Sequence, residues 1–445
     1  MTGPAADPEK GTALLTHRRV LVIALPIVLS NATVPILGAV DTGVIGQLGS
    51  AEAIGGVGIG AVILTAIYWV FGFLRMGTTG LAAQALGARD GDELAAILSR
   101  AVLVGAIGGV AVLLLQGPVF GAALRIAPAA PGVETLAVQY LSIRIWAAPF
   151  AIALFGITGW LIAQERTAAV LVIQLGMNAL NIGLDLWFVL GLGWGVPGVA
   201  AATAIAEVSG LALGLWFCRD AFRGRAWRNG ARVFDRARIG VMAAVNRDIL
   251  IRSLLLEAIF VSFMFRAAGI GTAELAANQI LLQFLNITAY SLDGFAFAAE
   301  ALVGQAMGAR ARLALRRAAL MTSLWGVIAA AALAGGFLLF GPAIIGVMTT
   351  AEEVRGVAGE YLGWMVLAPL FGVAPWMLDG IFIGATRTRD MRNMMALSAA
   401  FYFAIMPILS MAYGNHGLWI AMLASFVARG ATLAARYPAL ERTAA

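Results

Sequence analysis

Apolar runs of about 20 residues recur along this chain from end to end, and nothing else in the sequence restricts its fold so severely. Each is long enough to cross a ~30 Å hydrocarbon core as a helix. The fold class read from them is an all-α membrane protein. The composition agrees, since 61% of residues are hydrophobic and only 12% are charged, whereas a soluble domain carries about 25% charge. The spans fall at roughly 20–46, 53–75, 96–117, 136–162, 168–191, 196–217, 249–268, 273–299, 316–340, 357–384, 391–413 and 416–435, twelve transmembrane helices in all. Residues 1–19 are polar, and the run after them is too long for a signal-peptide core and lacks a cleavage signal. It is therefore expected to remain as the first helix.

The formal charge is +6, and Lys10 is the single lysine. Nucleic acid is a poor partner for this charge, because the arginines sit in short loops between apolar spans. Alternate connections are rich and poor in Arg, as membrane orientation requires. The rich set runs from Arg18 and Arg19 through Arg75, Arg89, Arg100 and Arg166 to the central loop with Arg219, Arg232 and Arg238. It continues with Arg310, Arg312, Arg387, Arg389, Arg429 and Arg436. This pattern predicts a multi-pass protein of the inner (plasma) membrane with both termini cytoplasmic. Cys218 is the only cysteine, so no intramolecular disulfide can form.

The two halves repeat. Gln84-Ala-Leu-Gly-Ala-Arg89 returns as Gln305-Ala-Met-Gly-Ala-Arg310, and the stretch from Gly159 to Thr167 returns from Gly380 to Thr388, both at an offset of 221 residues. The expected organisation is a cytoplasmic segment (1–19), a six-helix bundle (20–218), a basic cytoplasmic linker (219–247), a second six-helix bundle (248–437) and a tail (438–445). Six is an even number, so the repeats enter the membrane in parallel, with a central cavity expected between them.

An ionised carboxylate in hydrocarbon costs several kcal/mol, so each acid inside a span needs a reason. Asp41 lies in the first span beyond Pro26 and Pro35, two residues that remove helix hydrogen bonds and let a helix bend. Asn178, Asn181 and Asp185 share one face of the fifth helix, and Thr203 on the sixth can join them. They read as a proton or cation site, or as polar glue between helices. The eighth span carries Gln279, Gln283, Asn286, Tyr290 and Asp293 at spacings of 4, 3, 4 and 3, one polar stripe that must face protein or a wet cavity. Glu257 and Asp379 add acids in the second half; Glu207, after a small-residue run, reads equally as structural or functional, and Glu300, nearer a helix end, as interfacial.

No catalytic arrangement, metal-ligand set or phosphate-binding loop is present, so the chain reads as neither an enzyme nor a cofactor protein. Its energy source is then an ion gradient.

Leu25-Pro-Ile-Val-Leu-Ser-Asn31, Val40-Asp-Thr-Gly-Val-Ile-Gly46 with Leu48-Gly49, Asn181-Ile-Gly-Leu-Asp185, Ala289-Tyr-Ser-Leu-Asp-Gly-Phe295 and Leu378-Asp-Gly-Ile-Phe-Ile-Gly-Ala385 run in order along the chain. Together they resemble the multidrug and toxic compound extrusion (MATE) family, in its DNA-damage-inducible, DinF-type branch. The resemblance implies two six-helix bundles around a cavity, and export of organic, often cationic or amphipathic, compounds against H⁺ or Na⁺. It implies an ion site at Asp41, Asn181, Asp185 and Thr203, with Pro26 as the bend of the first helix. Members driven by Na⁺ carry acids on the seventh and tenth helices, positions matched by Glu257 and Asp379. The likeness around Asp41 favours H⁺. The expected partners are H⁺ (or Na⁺), a small organic substrate and membrane lipid, with the chain a monomer.

Two other readings compete. A major-facilitator transporter shares the six-plus-six plan, but its Asp-Arg motif is reversed here in Leu86-Gly-Ala-Arg-Asp-Gly91. A lipid-linked-substrate flippase of the same superfamily needs a strongly basic cavity, and the charges inside these spans read as mostly acidic.

Overall fold

Apolar sequence of this length has one way to satisfy its backbone, and the chain is helical nearly throughout. The computed structural model describes residues 15–47, 49–126 and 129–444. Lys10, Leu48 and most of the 1–19 segment lie outside the described residues.

In chain order the helices are α1 His17–Ala32, α2 Val34–Gly46, α3 Ala51–Val70, α4 Gly72–Gly87, α5 Gly91–Leu114, α6 Gln116–Ile126, α7 Pro131–Arg144, α8 Ala148–Ala163, α9 Thr167–Asp185 and α10 Gly195–Phe217. A single turn, α11 Gly230–Val233, precedes α12 Arg236–Ala268, α13 Thr272–Gly308, α14 Arg312–Met348, α15 Glu352–Gly384 and α16 Thr388–Arg442. Residues 236–247, expected within the linker, thus form the first turns of a long helix. Asp235 starts it by accepting the Arg238 backbone N–H at 2.9 Å, and this bond holds the Asp235 carboxyl below its usual range.

Among the described residues, nine helical stretches are long and apolar enough to cross a membrane, where the sequence predicts twelve. The difference has three physical sources. The first apolar run breaks at Thr33, whose hydroxyl bonds the Ser30 carbonyl at 2.7 Å, and Pro35 then opens α2 in the first turn, where it needs no donor. Neither piece alone is long enough. α12 carries Arg236, Arg238, Arg247, Asp248, Arg252, Glu257 and Arg266, which lower its hydropathy. Finally, α16 is two helices joined at a kink, where Gly414 takes a φ of 56°.

Contacts divide the chain into two compact units. The first comprises the chain up to Val28, Ala83–Arg89 and Ala243–Ala445; the second comprises Leu29–Ala82 and Asp90–Met242. In the first, α13 packs on α14 and α15, and Phe263, Phe284, Met365 and Trp419 lie in its core. Phe263 and Trp419 meet edge to face at 4.6 Å. Asn278 and Asn415 exchange amide hydrogen bonds at 2.6 and 3.0 Å, and the Trp419 indole N–H adds another at 3.0 Å, so this buried polar group is satisfied. In the second unit α5 packs on α8, α3 on α7 and α9 on α10, around Ile45, Leu64, Tyr140 and Val199.

Small residues bring these backbones together, the usual solution where lipid supplies no hydrophobic drive between helices. Gly105 and Gly109 of α5 abut Ala153 and Pro149 of α8, and Gly380 and Gly384 of α15 abut Ala296 and Glu300 of α13. Large side chains face outward instead: Phe265, Leu339 and Val347 are 76%, 74% and 90% exposed. A soluble surface would not carry so many, and lipid covers them without cost.

The sequence repeat is also a backbone repeat. The non-glycine residues with positive φ are Arg89, Glu165, Arg310 and Thr386, among the described residues. They form two pairs at the 221-residue offset of the sequence motifs, each closing a helix in the same left-handed turn. Each half also ties down its trailing end. Arg232 bonds Asp90 at 2.8 Å and Asp92 at 3.0 Å, beside the start of α5. Arg312, at the start of α14, pairs with Glu441 at 3.1 Å.

Candidate functional site

Four of the expected residues converge in the second unit. Asn181 and Asp185 sit one turn apart on α9, Asp41 comes from α2 and Thr203 from α10. The Asn181 amide, in the orientation that satisfies all its partners, donates to Asp41 Oδ1 at 3.0 Å and Asp185 Oδ2 at 3.1 Å. Its oxygen accepts from the Thr203 hydroxyl at 3.0 Å. Asn181, Asp185 and Thr203 are buried, and Asp41 is half-buried. Asp185 Oδ1 has no hydrogen-bond partner among the described residues. One amide therefore holds two carboxyl groups, and two carboxylates this close repel each other unless a proton or cation joins them.

The backbone at Asp185 is unusual. α9 ends there and runs into a π-helical turn, Leu186–Gly191, before Gly193 and Gly195 reverse the chain with φ values of 71° and 59°. Such π turns mark places where a helix is locally under-wound, often beside functional groups. Asn178, one turn earlier, is also buried and accepts from Gln174 at 3.0 Å.

Pro26 lies inside α1, while Pro35 stands in the first turn of α2, just beyond the break at Thr33. The first apolar run is thus divided ahead of Asp41.

Three buried arginines went unrecognised in the sequence. Arg144, the last residue of α7, donates to Glu207 of α10 and to the Tyr140 hydroxyl at 2.9 Å. In the first unit, Asp379 of α15 accepts from both Arg252 of α12 and Arg429 of α16, the latter at 2.6 Å, and both bonds fall on Oδ2. Arg429 also lies over the Trp376 ring at 5.9 Å. This buried trio carries a net charge of +1, so basic groups stand among the acids inside the spans. The available signal was Arg144 itself, a charge in the middle of an apolar run that demands a partner.

The remaining expected residues do not gather into one site. Glu257 is exposed on α12, whereas Asp379 is buried. Along α13, Gln279, Gln283 and Asn286 are exposed, Tyr290 and Asp293 are half-buried, and Asn286 donates to Gln283 at 3.2 Å. Glu300, nearer the end of α13, is buried. No group of three or more His, Cys, Asp or Glu stands close enough to hold a metal, among the described residues.

An all-α, multi-spanning chain with two acids paired inside a helical bundle defines a class, that of membrane transporters. A family profile described as MatE matches residues 26–187 and 249–409. The chain is 39% identical over 430 residues to DNA damage-inducible protein F of Escherichia coli (strain K12), covering 93% of this chain and 90% of that protein. Its fold is similar to the crystal structure of the Vibrio cholerae MATE transporter VcmN in the bent form, with a TM-score of 0.85, 18% identity, and 98% and 99% of the two chains covered. It is equally similar to a crystal structure of MATE in the bent conformation, with a TM-score of 0.85, 19% identity, and 99% and 97% covered. The chain belongs to the MATE family, and it is a secondary transporter, not an enzyme.

Proposed function

We propose that this protein exports cationic or amphipathic organic compounds in exchange for H⁺, and that Asp41 and Asp185 carry the proton. The supporting observation is the single Asn181 amide that holds both carboxyl groups. With a proton on the pair, the two acids and the amide form a closed hydrogen-bonded set. Without it, repulsion favours an opened arrangement, and the chain break at Thr33 gives α2 freedom to move with Asp41. A Na⁺-driven alternative would use Glu257 and Asp379, but Asp379 already serves two guanidinium groups. Proteoliposomes given a pH gradient or a Na⁺ gradient separately test this. Only the pH gradient should drive ethidium export; export under Na⁺ alone overturns the proton reading.

The same reading has the chain as a monomer in the inner membrane, crossing it twelve times. α1 with α2, α12, and the two parts of α16 supply the spans beyond the nine. Both termini and the Arg-rich segment before α12 then lie in the cytoplasm. The buried Cys218 leaves thiol labelling clear for Gly230→Cys. An impermeant maleimide should reach that position only in inverted vesicles, and labelling of intact cells would end the twelve-span topology.

A further inference from the structure

The chain has two histidines, His17 and His416. His416 stands two residues beyond Gly414, whose φ of 56° makes the kink inside α16. Both of its ring nitrogens are engaged, by residues one turn apart on α15. Nδ1 accepts the Trp364 indole N–H at 3.0 Å, and Nε2 lies 3.3 Å from Glu360 Oε1. The Tyr361 ring meets the imidazole edge to face at 4.6 Å. Turning the imidazole over would lose both nitrogen contacts, so its partners fix its orientation. They also fix its tautomer. An indole only donates, so Nδ1 carries the lone pair and Nε2 the proton. His17 differs: on an exposed face it accepts from Trp325 at 3.2 Å, with no acid at its second nitrogen among the described residues.

The residue before His416 makes a tie of another kind. Asn415 exchanges amide bonds with Asn278 of α13. The kink is thus fastened to two helices of the same unit, to α13 by Asn415 and to α15 by His416. An amide pair does not titrate, whereas an imidazole gains a proton between about pH 5 and 8. Here that proton can go only to Nδ1, the atom Trp364 holds. Imidazolium has no acceptor, so the indole bond is lost. Glu360 then holds His416 alone, and with their side chains 58% and 42% exposed this ion pair is well solvated and weak. The other charged groups nearby are engaged or face water. Arg355 donates to the Thr349 and Gly346 carbonyls at 2.6 and 2.7 Å, and Arg266 of α12 donates to Ser410 at 3.0 Å. Glu352, Glu353 and Tyr413 are exposed, Glu274 of α13 bears on Tyr361, and residues 340–348 of α14 contain nothing that ionises.

We propose that His416 is a second proton-binding site of this transporter, a latch that fastens α15 to the α16 kink when neutral and releases it when protonated. In the twelve-span topology above, this kink lies on the outer face of the membrane, opposite the termini. The latch therefore reads the acidity of the side that supplies the driving proton, and it frees the outer end of α15 when protons are abundant. This inference rests on that topology and on the proton-coupled reading.

The test uses full-length protein in proteoliposomes with ethidium as the probe. The pH difference is held constant while both sides are moved together from about pH 8 to pH 5. His416→Gln keeps an acceptor for Trp364 and a donor for Glu360 but cannot titrate. Its export rate should match the wild type at the alkaline end. At the acid end it should fall about twofold to tenfold below, the equivalent of one hydrogen bond. Trp364→Phe has no latch to close, so it should exceed His416→Gln at every pH, while His17→Gln should follow the wild type. Trp364 fluorescence, taken as wild type minus Trp364→Phe, should change across the same range and stay constant when His416→Gln is present. A His416→Gln export profile that tracks the wild type throughout overturns the proposal, and it does so even if Trp364→Phe fails to fold. Failure of the underlying readings looks different. Without proton coupling the wild type runs on Na⁺ while the fluorescence change persists, and a wrong topology shows in the labelling of Gly230→Cys.

Discussion

Asp41→Asn should leave the protein folded and inserted while reducing pH-gradient-driven ethidium export to the leak rate, at least tenfold below wild type. The amide is nearly the size of the acid and keeps one oxygen for the Asn181 N–H, so the local packing survives. What it cannot do is gain or lose the proton. One proton entering down 100 mV gains about 2.3 kcal/mol, and each pH unit adds about 1.4 kcal/mol. Either alone sustains roughly a tenfold to fiftyfold substrate gradient. A variant locked in the proton-bound form cannot draw on that energy, although substrate binding can persist. Asp185→Asn should behave in the same way, because the two acids share one donor. Vesicle assays in which both variants export normally under a pH gradient would remove this site from the coupling mechanism.

The largest effect on stability is expected at Asp379. Asp379→Asn leaves Arg252 and Arg429 buried side by side without a counter-charge. Breaking a buried ion pair by removing one partner costs about 3–5 kcal/mol, and here two cations lose the same partner. Thermal unfolding of the purified variant should show a large drop, and little protein should reach the membrane. Adding Arg252→Met and Arg429→Met should recover much of the loss, since no charge is then left alone. A single Asp379→Asn that unfolds at the wild-type temperature would mean that water reaches the trio.

Local patterns were legible in the sequence, and distant pairings were not. The membrane class followed from run length, and the α9 face of Asn181 and Asp185 followed from helical spacing. Asp41 stood out as an acid on a bendable helix and Thr203 as a neighbour for the α9 face, but only the family resemblance joined Asp41 to Asn181, since nothing local ties residues 140 positions apart. Arg252 and Arg429 could not be joined to Asp379 for the same reason: their partners lie 127 and 50 residues off. Both also sit toward the ends of their spans, where an arginine reads as a loop residue. Pro35 was read as a bend within one helix, and the helical run is interrupted two residues ahead of it, at Thr33. A proline fits better as the opening of a new one.

The two end ties described above have opposite polarity. In the first half, acids at the start of α5 hold a basic residue, Arg232; in the second, a basic residue at the start of α14 holds an acid, Glu441. If the ends were exchanged, Arg232 would meet Arg312, and Glu441 would meet Asp90 and Asp92. Both encounters repel, and like-charge clashes of this kind discriminate between partners more sharply than attraction alone. A duplicated chain risks docking each trailing segment on the wrong copy as it leaves the ribosome. The inverted charges act as a key that assigns each end to its own half, so the near-identical motifs at Gln84 and Gln305 can stay alike without becoming interchangeable.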